Sequence, residues 1–317
     1  MIKIYDITEN GLQKSDSDNS TLKIYDDPND HERKKFIDTY DLPEDIFDFD
    51  DIPHVAPRIE KIHNKKLGDT LIFVISNILD VEEKTDVENR LESHTFILGE
   101  KELFWFMNKE SSDLDQVLLK YKGPEINSLQ SVILNAGLLA YTHFTDELSK
   151  QKMIIDDLNN QAESSATRRQ VLVDVSNTER NLVMLQHTID TQGEAFEKLL
   201  KDEEFIENLD NPHLIHDIKW YNRQVQKLVN VYRDLLDSAS SLFSDIMSNN
   251  LNKLMKFLSS LSLILAASSL IGELWGMNTG GLPFEQHEHG TWIMIGVTVF
   301  AGVAMYFFLK NKEYFDD

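Results

Sequence analysis

The sequence predicts an α/β domain joined through a helical section to one long stalk helix and a two-helix membrane hairpin. Three observations carry this reading. Short β-branched and aromatic runs bounded by polar turns fill the chain up to Gly123-Pro124. Beyond Pro212 neither Pro nor Gly occurs before Gly272, so nothing there interrupts a helix. Two apolar segments near Leu254–Leu274 and Thr291–Leu309 flank a short loop, and no Lys or Arg occurs between Phe257 and Leu309.

The elements follow in order. Strands are expected over Ile2–Tyr5, Leu22–Tyr25, Ile59–His63, Thr70–Ile78, Thr95–Leu98 and Leu103–Met107. Asp30–Tyr40 and Asp113–Tyr121 read as helices, with an acidic residue at each start. After Gly123-Pro124 the chain is helical, over Glu125–Asn160, Glu163–Gln192 and Glu194–Leu209. Asp210-Asn211-Pro212 opens the stalk: a polar cap followed by Pro at the first helical position. The expected domains are therefore 1–124 (α/β), 125–210 (helical), 211–277 (stalk and first span), 278–290 (outer loop), 291–309 (second span) and 310–317 (tail).

Charge narrows the function. The 317 residues carry 54 Asp and Glu against 31 Lys and Arg, a formal net charge of -23. Such a surface repels nucleic acid and anionic lipid and attracts cations. The absence of Cys excludes disulfides and thiolate metal sites. No nucleotide-binding glycine loop, HExxH motif or supported nucleophile triad is present, so no enzyme activity and no cofactor are expected. The acidic run Glu44–Asp51 lacks the Gly and closing Glu of an EF-hand. The opening Met1–Asp6 has no long apolar run, so a signal peptide is not expected.

Each apolar segment is about the 20 residues a span needs. Trp275, Trp292 and Tyr306 sit where interfacial aromatics belong, and Lys253, Lys256, Lys310 and Lys312 flank the pair. The loop holds Glu285 and Glu288 and no basic residue. The positive-inside rule then puts both termini in the cytoplasm and the loop outside the cell membrane.

Stepping along the first span by three and four gives Asn252, Met255, Ser259, Ser262, Ala266, Ser269 and Glu273. This stripe is mostly small or polar and ends in a carboxylate, while Phe257, Leu261, Ile264, Leu265 and Leu270 are apolar. Close helix packing accounts for Ser259 and Ser262. It does not account for Glu273, since a charge in or near the apolar layer faces protein or water. One helix cannot enclose a pore, so a pore needs several copies of the first span around an axis, with the second spans outside. In the stalk, Ile218, Val225, Tyr232, Ala239 and Ile246 recur every seven residues, as do Tyr221, Leu228, Leu235, Leu242 and Asn249. A helix from Pro212 to Leu274 is about 95 Å long at 1.5 Å per residue, long enough to connect cytoplasm and pore.

These residues resemble the CorA family of divalent-cation channels. The resemblance rests on the stalk end Ser248–Lys256, a span, Trp275-Gly276-Met277-Asn278, a short loop and a final span. It covers residues 212–312 well. Earlier in the chain, Pro57-Arg58-Ile59-Glu60 before the strand Thr70–Ile78 looks like the family's N-terminal domain. The resemblance implies an α/β/α sandwich in the cytoplasm and a homopentamer whose pore is lined by the first span. It implies a selectivity filter at Gly276, Met277 and Asn278, with Asn278 holding hydrated Mg2+ at the outer mouth. It places constrictions at Asn252, Met255, Leu258, Ser262, Ala266 and Ser269. It also implies a regulatory divalent site using Asp217, with Mg2+ as both transported and regulatory ion, Co2+ or Ni2+ as secondary ions, and bound Mg2+ favouring closure. Asp80, Glu82, Glu83 and Asp86 are candidate partners of Asp217.

The chain departs from the family pattern at three places. Ala267 replaces a frequent Pro, Ala266 a commonly bulky pore residue, and Glu273 a usual small one. Five Glu273 carboxylates would concentrate cations beside the Asn278 ring. The loop Thr279-Gly280-Gly281-Leu282-Pro283-Phe284 looks like that of the zinc-transporting ZntB branch, whereas the Met of the signature favours the Mg2+ branch. His287 and His289 suit zinc, but no supporting ligand set is visible. A zinc transporter of the same fold is the alternative. A membrane-anchored coiled-coil scaffold is the alternative of a different class.

Overall fold

The computed structural model describes residues 2–8, 11–15, 20–47, 57–79, 86–107, 126–163 and 168–312. The chain divides into two units, Met1–Ala239 and Ser240–Asp317, taken in turn below.

In the first unit β1 (Ile2–Thr8), β2 (Gly11–Lys14), β3 (Leu22–Asp26), β4 (Arg58–Asn64), β5 (Gly68–Ile78), β6 (Leu91–Leu98) and β7 (Leu103–Met107) form one sheet. Its order is β2-β1-β3-β7-β6-β5-β4. Every neighbouring pair is antiparallel except β3 and β7, which run parallel with Leu22 opposite Leu103. β5, β6 and β7 are buried on both faces, which is why Leu71–Ile75 reads as an unbroken apolar run.

Helix α1 (Asp30–Tyr40) covers one face. Asn29 caps it, accepting from the Glu32 amide while the Glu32 carboxylate accepts from the Asn29 amide. Its Phe36 ring packs edge-on at 4.9 Å from both Phe104 and Phe106, in a core shared with Phe47, Ile72 and Ile97. The other face carries Phe73, Phe96 and Trp105. It meets α2 (Leu129–Glu163) and α3 (Arg168–Leu199), with Phe73 5.0 Å from Phe196. Gly137 lets α2 approach α3, for a Cβ there would lie 2.2 Å from the Phe196 ring. A short α4 (Glu203–Glu207) and the long α5 (His213–Trp275) follow.

Polar groups buried around β6 and α2 pair with one another, with Arg90 Nε, Glu92 Oε2 and Gln151 Oε1 left without a partner among the described residues. Arg90 donates to both Glu147 oxygens at 2.8 and 2.6 Å, and Gln151 donates to Glu147 at 2.7 Å. Trp105 donates to His94 Nδ1 at 3.2 Å, and His94 Nε2 and Asn77 Nδ2 both meet one Glu92 oxygen at 3.0 Å. These contacts satisfy charges that would otherwise be costly to bury.

In the second unit α5 continues from Ser240 to Trp275, and α6 (Gly290–Lys310) returns beside it. Both are long and apolar enough to cross a membrane. They touch through small residues: a Cβ on Gly302 of α6 would lie 2.7 Å from the Ser268 hydroxyl of α5. Ser260 and Leu309 are also buried there.

Several expectations change. β2 falls where no strand was expected, and β6 starts at Leu91 rather than Thr95. The expected break at Gly193 is absent, and α3 runs through it to Leu199. There a Cβ would come 2.6 Å from the Asn222 amide of α5, so this glycine serves close packing and not termination. The helix expected from Glu125 begins at Leu129. The expected helix Asp113–Tyr121 and the Gly123-Pro124 break lie outside the described residues. The two stalk repeats are unequal: Ile218, Val225 and Ala239 are buried, whereas Leu235 and Leu242 stay exposed.

Candidate ion pathway

The two faces of α5 differ. Leu214, Ile218, Asn222, Val225, Val229, Leu236 and Ala239 are buried in the first unit. In the second unit Phe243 and Ser260 of α5 are buried, Ile246, Met247, Asn250, Ile264, Ala267, Ser268, Ile271 and Trp275 are half-buried, and Ile264 and Ser268 lie against Gly302 of α6. Ser260 and Ser268 each donate to the carbonyl four residues back, at 2.7 and 3.1 Å, which satisfies both hydroxyls within α5.

Asn252, Met255, Leu258, Ser259, Ser262, Ala266, Ser269 and Glu273 are all exposed in the protomer. At 100° per residue they lie across the helix from the Ser260–Ile264–Ser268 contact. Of the apolar positions set against that stripe, only Ile264 is half-buried; Phe257, Leu261, Leu265 and Leu270 are exposed. The helix is unbroken through Ala267, with no kink-forming residue.

One relation was missed at the sequence level. Steps of seven back from Asn252 pass through Asp245, Ser238, Val231 and Gln224 to Asp217, and steps forward reach Ser259, Ala266 and Glu273. All nine are exposed; on a straight helix such a row drifts by about 20° per heptad, so it is a sequence repeat and not a single face.

Beyond Glu273 the loop folds back on the helix end. Trp275 Nε1 donates to the Pro283 carbonyl at 2.9 Å, and the Gly276 amide closes the last helical turn on Gly272 at 2.9 Å. Gly281 at φ +91 donates its amide to the Glu285 carboxylate at 3.3 Å. A Cβ on Gly290 would meet the Phe284 carbonyl at 2.3 Å, so that turn requires glycine. Gly276, Met277 and Asn278 are exposed between these anchors, and the Glu273 carboxylate has no partner among the described residues. An exposed amide oxygen is a weak, hard donor suited to the water shell of Mg2+, which dehydrates reluctantly.

Asp217 is exposed on α5, 3.6 Å from His216 Nδ1. Asp86 and Glu88 are held by Arg180 of α3. Asp80, Glu82 and Glu83 lie outside the described residues. His287 Nδ1 accepts from the His289 amide at 3.2 Å, and the two ring centres are 6.2 Å apart. Among the described residues no three His, Asp or Glu side chains converge on a point that could hold a metal.

The sequence profile described as CorA-like Mg2+ transporter protein matches residues 24–311. A cobalt/magnesium transport protein CorA from Thermotoga maritima is 24% identical over 266 residues, covering 82% of this chain and 73% of that protein. The complete structure of the CorA magnesium transporter from Methanocaldococcus jannaschii superposes with a TM-score of 0.78 at 16% identity, covering 98% and 97% of the two chains. The ZntB cytoplasmic domain from Vibrio parahaemolyticus gives a TM-score of 0.61 at 14% identity, covering 78% of this chain and 96% of that one.

Proposed function

The chain belongs to the CorA-like Mg2+ transporter family, and from that premise we propose that it is a homopentameric channel for Mg2+, with Co2+ or Ni2+ as secondary ions. Membership makes it a membrane transporter of divalent cations; the ion and the pentamer are our reading. One observation supports it most: the polar stripe of α5 is exposed, lies across the helix from α6, and ends at Gly276-Met277-Asn278.

Five α5 helices with their stripes inward would line a pore from Asn252 to Glu273, with α6 towards lipid. Asn278 would hold hydrated Mg2+ in a filter with Gly276 and Met277. Glu273 would raise the local cation concentration. Termini would lie in the cytoplasm, following the positions of Lys253, Lys256, Lys310 and Lys312. Asp217, with carboxylates of a neighbouring copy, would bind cytoplasmic Mg2+. Bridging cancels repulsion between acidic subunits and holds the stalks together in the closed state. An emptied site lets them separate.

Likeness to the ZntB domain and the loop Gly280-Gly281-Leu282-Pro283 favour zinc as the second reading. Flux of Mg2+ and of Zn2+ into proteoliposomes separates the two. Mg2+ entry that falls at least ten-fold in Asn278→Ala is expected. Zn2+ entry without Mg2+ entry would refute the Mg2+ assignment, and full flux in Asn278→Ala would refute the filter.

A further inference from the structure

We propose that a groove between α3 and α5 in the first unit binds a phosphate-bearing anion of nucleotide size, independently of what the membrane helices carry. The groove has a volume of about 360 Å3 and a buried floor of Phe196, Leu200 and Ile218. Its rim carries Lys201, Lys219 and Arg223, and its one carboxylate is Glu197, so the lining is net basic in a chain of net charge -23.

Basic rims alone do not make a site, but this groove also holds an oriented amide. Asn222 is only 9% exposed and lines the groove. Its Oδ1 accepts from the Tyr141 hydroxyl at 3.2 Å, and its Nδ2 has no hydrogen-bond partner among the described residues. This donor belongs to a side chain that lines the groove, so an anion seated there can accept from it. Gly193 keeps it uncovered, because a Cβ there would lie 2.6 Å from Nδ2. Lys201, Lys219 and Arg223 are exposed and make no ion pair among the described residues, so their charges are available to a ligand.

A donor amide at the floor and three cations at the rim match the oxygens of a polyphosphate chain, with Arg223 able to bind two at once. The volume lies at the low end of small-molecule pockets. A ligand there would clamp α3 to α5, the helix that continues into the first candidate span.

The test is calorimetric titration of the full chain in detergent with tripolyphosphate, ATP and adenosine, at low and high salt. Tripolyphosphate and ATP are expected to bind and adenosine not to. Binding should weaken with salt, and affinity should fall at least ten-fold in Lys219→Ala/Arg223→Ala. Both residues are exposed, so the fold should survive. Asn222→Asp, which replaces the donor by an acceptor, should weaken binding further. Failure of both phosphate compounds to bind would overturn the proposal, as would unchanged affinity in the double variant. A double variant that changes only the oligomeric mass would identify the groove as a subunit contact and also overturn it.

Discussion

Glu273 is a carboxylate next to an apolar span, and its exposed environment gives that charge a consequence. It is exposed on the α5 stripe, one turn before Gly276, with no partner among the described residues. A dication about 10 Å from five such carboxylates gains roughly 4 kcal/mol in water before screening, and on the order of 1 kcal/mol at physiological salt. Glu273→Gln should therefore raise the half-saturating Mg2+ concentration of uptake about five-fold while leaving the fold intact. The effect should shrink in high salt. Unchanged half-saturation at low salt would remove Glu273 from the pathway. Asp217 contrasts with it: it is exposed beside His216 on α5, a single carboxylate of the kind Mg2+ meets while keeping most of its own waters.

Among the elements, α5 and α6 are joined by smallness rather than by apolar bulk. Gly302 has no room for a side chain because Ser268 occupies it. Gly302→Leu should separate the helices and destabilise the protein by about 1–3 kcal/mol of overpacking. Gly302→Ala should shift only the Ser268 hydroxyl. Thermal unfolding in detergent reads the difference, and equal melting temperatures for the two variants would contradict the packing. Much of this level was legible in the sequence: Asp30–Tyr40 and Leu103–Met107 fall where periodicity and caps put them, α5 ends at Trp275, one residue beyond Leu274, and α6 (Gly290–Lys310) begins and ends within one residue of the apolar limits Thr291 and Leu309. Gly193 was misleading because a glycine at a tertiary contact looks the same as one at a helix end. β2 was missed because four residues, Gly11–Lys14, pair only at the sheet edge and carry little apolar signal. The inequality of the two stalk repeats depends on which face meets α3, and a heptad pattern does not specify that.

For the whole molecule, charge and exposure fit one assembly. A chain of net charge -23 repels its own copies, so an oligomer would be tightened by divalent cations and loosened without them. The exposed stripe from Asn252 to Glu273 supplies the face such an assembly would turn inward. The natural absence of Cys provides a direct measurement on that face. In proteoliposomes, single cysteines at Ser259, Ser262 and Ser269 should let a charged thiol reagent block Mg2+ flux, while Ser260→Cys, buried in the monomer, should stay unmodified and conducting. Block at Ser260→Cys, with none at Ser259→Cys, Ser262→Cys and Ser269→Cys, would place the pathway on another face and contradict the account.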